Sequence, residues 1–475
     1  MADKTPLVLD VDGTFLRTDM LVESFWAGMG KHPIATIAAS LRHLGDRPRL
    51  KAELARIGQP RTDLMPVHAE IAELAQIARN EGREVVFASA SDRELVERLA
   101  VDHGLEGKVF GSENGTNLKG TAKAEALVAA YGEGGFDYAG NEPVDRAIWE
   151  RADTAIVVGD ESSAKAMAAA GKPVQSFDGT WRWRDLARAL RPHQWVKNIL
   201  LLLPMLAAHD FTWATLGMVV LGMICFSAAA SSIYVANDLL DLEADRLHAT
   251  KRFRPFASGA VPLLVGMGAG AAAGLVALLG SALLGPQMLF ITALYMLLSL
   301  AYSLRLKRLR WVDIAILAAL YTLRVVAGAT VTGLGVSAFL IGFIFPAFAA
   351  LGAVKRLTEV TRARNDERLP GRGYARADRS KLLNLALIGV MGAVLSFLAY
   401  GFSPQAIALY PSRLFLWAAA VPMMLWLIRM VRLGYEGRQD YDPILFAMRD
   451  KRGIGLLLMC LAAMFFASGM WESVF

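Results

Sequence analysis

The segment NDLLDLEADRLHATKRFRP carries a concentrated chemical pattern. Asp238, Asp241 and Asp245 follow an i, i+3, i+7 spacing, and Asn237 sits four residues before Asp241. On a helix these oxygens share one face. Like charges at that spacing repel, and carboxylates near a helix C-terminus oppose the macrodipole. A hard divalent cation offsets both penalties, and Mg²⁺ characteristically joins one or two carboxylates to phosphate oxygens. Lys251, Arg252 and Arg254 follow directly, with donors for a diphosphate. The pattern predicts a metal–diphosphate site. The plainer alternative is an acidic helix end in solvent, balanced by its neighbouring arginines.

The elements that would hold this segment follow from composition. The chain has 475 residues, of which 55% are hydrophobic and 20% charged. That mixture predicts a polar domain joined to an apolar one. Residues 1–180 read as soluble α/β. Short apolar runs at Leu7–Val11, Glu84–Ala88, Phe136–Ala139 and Ala155–Val158 alternate with helical patterns such as Val67–Arg79 and Arg93–Val101. Such alternation implies a parallel sheet with helices on both faces. Residues 181–197, within WRWRDLARALRPHQWVKN, read as a basic, Trp-rich amphipathic helix lying at a membrane interface. From 198 to 475 the chain reads as an all-α polytopic membrane domain. Nine segments approach the ~20 residues that span a bilayer: 198–210, 213–236, 261–283, 286–304, 311–331, 336–354, 381–403, 413–430 and 453–472.

Charge in the connections sets an expected orientation. Lys and Arg crowd the second-to-third, fourth-to-fifth, sixth-to-seventh and eighth-to-ninth connections, and the others hold almost none. The positive-inside rule then places the N-terminal domain on the cytosolic side of an inner membrane and the C-terminus outside. The start, MADKTPLVLDVDGT, has no secretory pattern. Cys225 and Cys460 lie in apolar runs without metal-ligand spacing. The formal net charge of +6 is accounted for by membrane loops and does not call for nucleic acid. Arg324, inside the fifth segment, has two readings: a functional cation, or a structural partner of Asp313 or a carbonyl. Tyr295 and Tyr234 read as packing or interfacial residues. Oligomeric state is not legible.

NDLLDLEAD resembles the first Asp-rich motif of the UbiA superfamily of intramembrane prenyltransferases, and the likeness extends over about residues 185–475. The family's second motif, DxxxD, is absent after the sixth segment, where AVKRLTEVTRARNDERLPGRGY stands with Lys355, Arg356 and Glu359. That departure, with RPHQWVKN and YSLRLKRLRWVD, is similar to the bacterial decaprenyl-phosphate phosphoribosyltransferases. The resemblance implies a phosphoribosyl diphosphate (PRPP) donor and a polyprenyl phosphate acceptor. Asp238, Asp241 and Asp245 would hold Mg²⁺, and Asp238 and Asp241 would carry the catalysis. Asn237, Lys251, Arg252 and Arg254 would assist, and Arg191, Lys197, Lys355, Arg356 and Glu359 would line the phosphate site. The competing expectation is a prenyl diphosphate donor and an aromatic or other small acceptor. A transporter fits less well, because the acidic cluster lies at a surface rather than at the midplane.

The N-terminal Asp10-Val11-Asp12-Gly13-Thr14, at a strand end, resembles the motif of the haloacid dehalogenase (HAD) superfamily. The resemblance implies that Asp10 attacks a phosphate and Asp12 is general acid/base. Ser89, after VVFASAS, would bind the phosphate, and Lys123 (or Lys119) would neutralise it. Asn141 and Asp145 occupy the acidic metal motif, so that Asp10, Asp12, Asn141 and Asp145 would hold a second Mg²⁺. Residues 20–65 would form a helical cap. Asn141 replaces an acidic ligand, which leaves a slow phosphatase, a specialised one and a catalytically inactive module all open.

Overall fold

In the computed structural model, residues 4–112, 118–363, 368–369, 372–439 and 442–469 are described. The chain divides into two compact units. One comprises Met1–Arg191 with Tyr234–Ala271, the other Pro192–Ile233 with Ala272–Phe475.

The first unit is built on strands β1 (Leu7–Leu9), β2 (Val85–Asp92), β3 (Val109–Ser112), β4 (Asp137–Gly140), β5 (Ala155–Val158) and β6 (Val174–Phe177). They form one sheet in the order β3-β2-β1-β4-β5-β6, every pairing parallel. Alternate residues face opposite layers. Leu7, Leu9, Val85 and Phe87 enter one core, and Val8, Val86, Ala88 and Tyr138 enter the other. Strand order reverses at β1, between β2 and β4, and at such a switch point the strand ends open a ligand crevice. The edge strands β3 and β6 were not expected: VFGS and VQSF are four residues each, too short and too half-exposed for clear periodicity.

Helices α1 (Met20–Lys31), α2 (Pro33–Arg42) and α3 (Arg47–Gly58) are inserted after β1, where a cap was expected. The sheet is then flanked by α4 (Ala69–Asn80), α5 (Arg93–Asp102), α6 (Thr121–Tyr131), α7 (Arg146–Trp149) and α8 (Glu161–Ala169). The stretch 181–198 is not one amphipathic helix. Helix α9 (Trp183–Ala189) is followed by Arg191 at φ 54° and by a 3₁₀ run from Pro192 to Leu202. Leu186 and Ala189 are buried against Val22, Val235, Leu239 and Phe256, so this apolar face is covered by protein.

The remaining helices are α10 (Leu203–Ala208), α11 (Trp213–Leu240), α12 (Leu242–Leu247), α13 (Leu263–Leu283), α14 (Pro286–Leu304), α15 (Val312–Thr332), α16 (Ala338–Arg362), α17 (Arg379–Tyr400), α18 (Pro404–Leu409), α19 (Arg413–Tyr435), α20 (Pro443–Ala447) and α21 (Lys451–Ala467). Among the described residues seven of them, α11, α13, α14, α15, α16, α17 and α19, are long and apolar enough to cross a membrane. Nine spans were expected. The first, 198–210, is split between the 3₁₀ run and the six-residue α10, because Pro204 follows the 3₁₀ turns. The last, 453–472, is the 17-residue α21, and its residues 470–472 lie outside the described set. So do residues 364–367 and 370–371 of the sixth-to-seventh connection. Small residues let the helices meet closely: a Cβ on Gly389 of α17 would lie 2.7 Å from the Pro346 carbonyl oxygen of α16.

Candidate functional site

The first unit carries two carboxylate clusters. The first cluster lies at the carboxyl ends of β1, β2 and β4. Lys123 of α6, buried, donates to Asp10 Oδ1 at 2.6 Å and to the Tyr138 hydroxyl at 3.0 Å. Tyr138 donates to Asp145 Oδ1 at 3.1 Å, and Asp145 Oδ2 accepts the backbone N–H groups of Asn141 and Glu142. Asp12 accepts from the Met20 N–H at 2.8 Å and from Ser91 Oγ at 2.7 Å. Thr14 Oγ1 donates to Asn141 Oδ1 at 3.1 Å. Gly13 has φ +77°, and a Cβ there would lie 2.2 Å from Asn141 Nδ2, so glycine is required on two counts.

These contacts bring Asp10, Asp12, Lys123, Asn141 and Asp145 together, the grouping that the HAD resemblance implied. Lys119 instead pairs with Glu142 on the surface. Ser89 is fully buried and accepts the Ser91 N–H, so Ser91 is the serine that touches an aspartate. Ser91 and Tyr138 were missed; Ser91 is two residues from Ser89 and points to the same side of the strand. Burial, with Asp19 and Asp10 adding negative charge, pushes Asp12 up to about 7. Burial and Asp10 likewise push Asp145 up to about 6. Burial opposes the charge on Lys123, but Asp10 and Asp145 prevail and hold it above its ordinary value. Carboxylates crowded in a buried pocket are pushed toward their neutral forms unless an added positive charge offsets the repulsion.

The second cluster is the Asp-rich segment. It does not lie on a single helix: α11 ends at Leu240, Asp241 has φ −101°, and α12 restarts at Leu242. Asp238 and Asp245, both buried, face one guanidinium. Arg254 Nη1 lies 3.1 Å from Asp238 Oδ1 and 2.6 Å from Asp245 Oδ2. Arg191 Nη2 also pairs with Asp238, and its guanidinium lies 5.2 Å from the Tyr234 ring centre. Burial raises the Asp245 carboxyl despite Arg254 beside it. Lys251 and Arg252 are exposed on a 3₁₀ turn.

Among the described residues no three His, Cys, Asp or Glu side chains are grouped to hold a metal. The oxygens do suit one: Asn237 Oδ1 is buried without a hydrogen-bond partner, one turn before Asp241. Asp238, Asp241 and Asp245 would hold Mg²⁺, with Asn237 Oδ1 and phosphate oxygens able to complete its shell.

The segment is also tied to the α1 insertion. Glu23, buried, accepts from Arg246 Nη1 at 3.1 Å and Nη2 at 2.5 Å, and from Thr18 Oγ1 at 2.7 Å. Arg246 Nε donates to the Ala257 carbonyl.

In the second unit, Arg356 is wholly buried and all five of its N–H bonds are committed. They go to Asp313, Glu359 and the Tyr302 hydroxyl. Arg356 and Glu359 thus form a crosslink between α15 and α16 in this structure. Lys197 pairs with Asp442, and Lys355 adds charge nearby; these lysines overcome burial and hold Asp442 below the usual carboxylate range. Arg324 does not pair with Asp313. It donates to Asn198 Oδ1, the Leu320 carbonyl and the Tyr295 hydroxyl.

Residues 199–449 match the model of the UbiA prenyltransferase family. The chain belongs to that family. An uncharacterized protein of Sinorhizobium fredii is 33% identical over 470 residues, which cover 96% of this chain and 90% of the relative. The nodulation protein NoeC of Azorhizobium caulinodans is 36% identical over 281 residues, 58% of this chain and 88% of the relative. A decaprenyl-phosphate phosphoribosyltransferase of Mycobacterium tuberculosis is 36% identical over 183 residues, 37% of this UbiA-family chain and 60% of that protein's length.

Proposed function

We propose that this UbiA-family membrane protein transfers phosphoribose from PRPP to a polyprenyl phosphate, and that a HAD-type site in its N-terminal part removes the 5-phosphate of the product. The observation that carries the first step is the pairing of Asp238 and Asp245 around Arg254, with Arg191 on the same Asp238. Carboxylates for a metal and guanidinium groups for phosphate oxygens stand side by side, as a diphosphate leaving group needs. The C1–O bond to diphosphate breaks, a lipid phosphate oxygen bonds to C1, and diphosphate leaves. Bound Mg²⁺ would neutralise the leaving group. The acceptor oxygen is already anionic, so no strong general base is required. Lys197, paired with Asp442, supplies a cation suited to a second anion. The likeness to decaprenyl-phosphate phosphoribosyltransferases supports this donor and acceptor.

The second step rests on Asp10, Asp12 and Lys123. Asp10 Oδ2 would attack phosphorus, Asp12 would protonate the leaving oxygen, and water would then cleave the aspartyl phosphate with Asp12 as base. Lys123, 2.6 Å from Asp10, holds the carboxylate and balances the phosphoryl charge. The membrane is the inner membrane, with the N-terminal part cytosolic by the lysine and arginine bias of the connections.

The rival donor is a prenyl diphosphate, as the family's description allows. Membranes carrying the protein, given radiolabelled PRPP or radiolabelled prenyl diphosphate with and without Mg²⁺, separate the two. Labelled lipid from PRPP alone supports the proposal; labelled product from prenyl diphosphate alone overturns it. If wild type retains the phosphomonoester on its product, unchanged in Asp10→Asn, the phosphatase step falls and the transferase reading stands.

A further inference from the structure

The α1–α2 corner sits beside the ends of two membrane-spanning helices. Trp26 Nε1 of α1 lies 3.4 Å from Met267 Sδ, in the second turn of α13. Lys31 Nζ lies 3.6 Å from Glu243 Oε1, three residues beyond the end of α11. A Cβ on Gly30 would lie 3.7 Å from the Leu240 carbonyl, the last residue of α11. These contacts lie within the first unit and put the start of α2 where α11 leaves the lipid and α13 enters it.

Helix α2 turns its polar side inward. Thr36 is buried against Gly28 of α1, where a Cβ would lie 2.5 Å from Thr36 Oγ1, and Ser40 bonds the Thr36 carbonyl. Its apolar side is left largely uncovered among the described residues: Ile34 is 84% exposed, Ile37 46%, Leu41 71%, and Leu44 just past the helix 74%. Ile34, Ile37 and Leu41 lie within one helical stripe. No acidic residue occurs from Lys31 to Gly45, whereas Lys31, His32, Arg42 and His43 flank the stripe. An apolar stripe with basic flanks is the pattern of a helix lying in the headgroup region of a bilayer.

We propose that α2 is a membrane-interface helix, with Ile34, Ile37 and Leu41 inserted in the lipid beside the ends of α11 and α13. The insertion over the Asp10 site is thereby held against the bilayer surface, where a lipid-linked phosphomonoester presents its head. The docking itself stands independently of the proposed reactions.

Spin labels at single cysteines test it in the full chain, in bilayer nanodiscs of neutral and anionic lipid, with Cys225 and Cys460 replaced by serine. Positions 34, 37, 39, 40 and 41 are labelled in turn. Labels at 34, 37 and 41 are expected to meet oxygen, which partitions into lipid, far more than a water-soluble nickel chelate. Their ratio should lie well above that of an aqueous label on Glu161, as burial of the apolar face at the headgroup–acyl boundary requires. Equal access to both agents would overturn the proposal. So would exclusion of both with dipolar broadening between labels, because a second copy would then cover the stripe. Labels at 39 and 40, facing protein, report that the helix is folded.

Discussion

The Glu23 carboxylate and the Arg246 guanidinium form a two-bond ion pair, at 3.1 and 2.5 Å, between the first helix after the DVDGT strand and the short helix of the Asp-rich segment. Arg246 directly follows Asp245, and Glu23 lies one turn from Met20, whose N–H holds Asp12. Two carboxylate clusters far apart in sequence thus share one buried anchor. Removing one partner of a buried pair leaves an uncompensated charge, worth about 3–5 kcal/mol. Glu23→Gln is expected to lower the unfolding free energy of this unit by that amount and to speed amide exchange across residues 20–31. Thermal melts and hydrogen exchange of the full chain check it; unchanged exchange would show that the pair holds nothing.

Asp12 sets a pH limit on the proposed phosphatase step. With its carboxyl pushed up to about 7, the acid form is populated below that pH and lost above it. The kcat/KM for an alkyl phosphomonoester should fall about tenfold per pH unit above about 7, where a general acid is being titrated. Asp12→Asn should remove this descending limb along with most of the rate. A profile flat through pH 8 in wild type would rule Asp12 out as the acid.

Asp238 and Asp241 are assigned to the metal and the diphosphate. Their joint replacement by alanine should cut lipid product by a factor of about 10²–10³ or more, the scale of lost transition-state electrostatics. It should also abolish Mg²⁺ dependence. Product formation and metal dependence untouched in the double variant would dismiss the assignment.

Arg356 provides a contrast, because its pairing with Asp313 is structural. Arg356→Met alone should destabilise the protein by about 3–5 kcal/mol, and pairing it with Asp313→Leu should recover much of that loss. The double variant should keep its KM for PRPP. A large KM rise in a protein of restored stability would return Arg356 to the phosphate site.

Much of this protein was determined locally, and that part could be read from sequence. The DVDGT turn follows a short β run and Lys123 lies on a helix that begins two residues before it, so both elements were legible locally, while the HAD resemblance, not local pattern, joined Asp10 to Lys123. The long apolar runs specified spanning helices because lipid leaves the backbone no other partner. What the tertiary structure alone decided was which charges meet. The 3.6-residue pattern through NDLLDLEAD predicted one continuous face, but the helix breaks at Asp241 and Asp238 and Asp245 close on Arg254. Arg356 read as a free cation until Asp313, 43 residues earlier on another helix, took up its N–H groups. Leu186 and Ala189 of the 181–198 stretch read as lipid-facing, whereas Val22, Val235 and Phe256 cover them. The exposed stripe of α2 took on meaning only from the contacts that the preceding helix α1 makes with Leu240 and Met267. Periodicity and turn chemistry act over a few residues and are written in order along the chain. Neutralising a buried charge needs a partner at hydrogen-bond distance, and only packing brings that partner from elsewhere in the sequence.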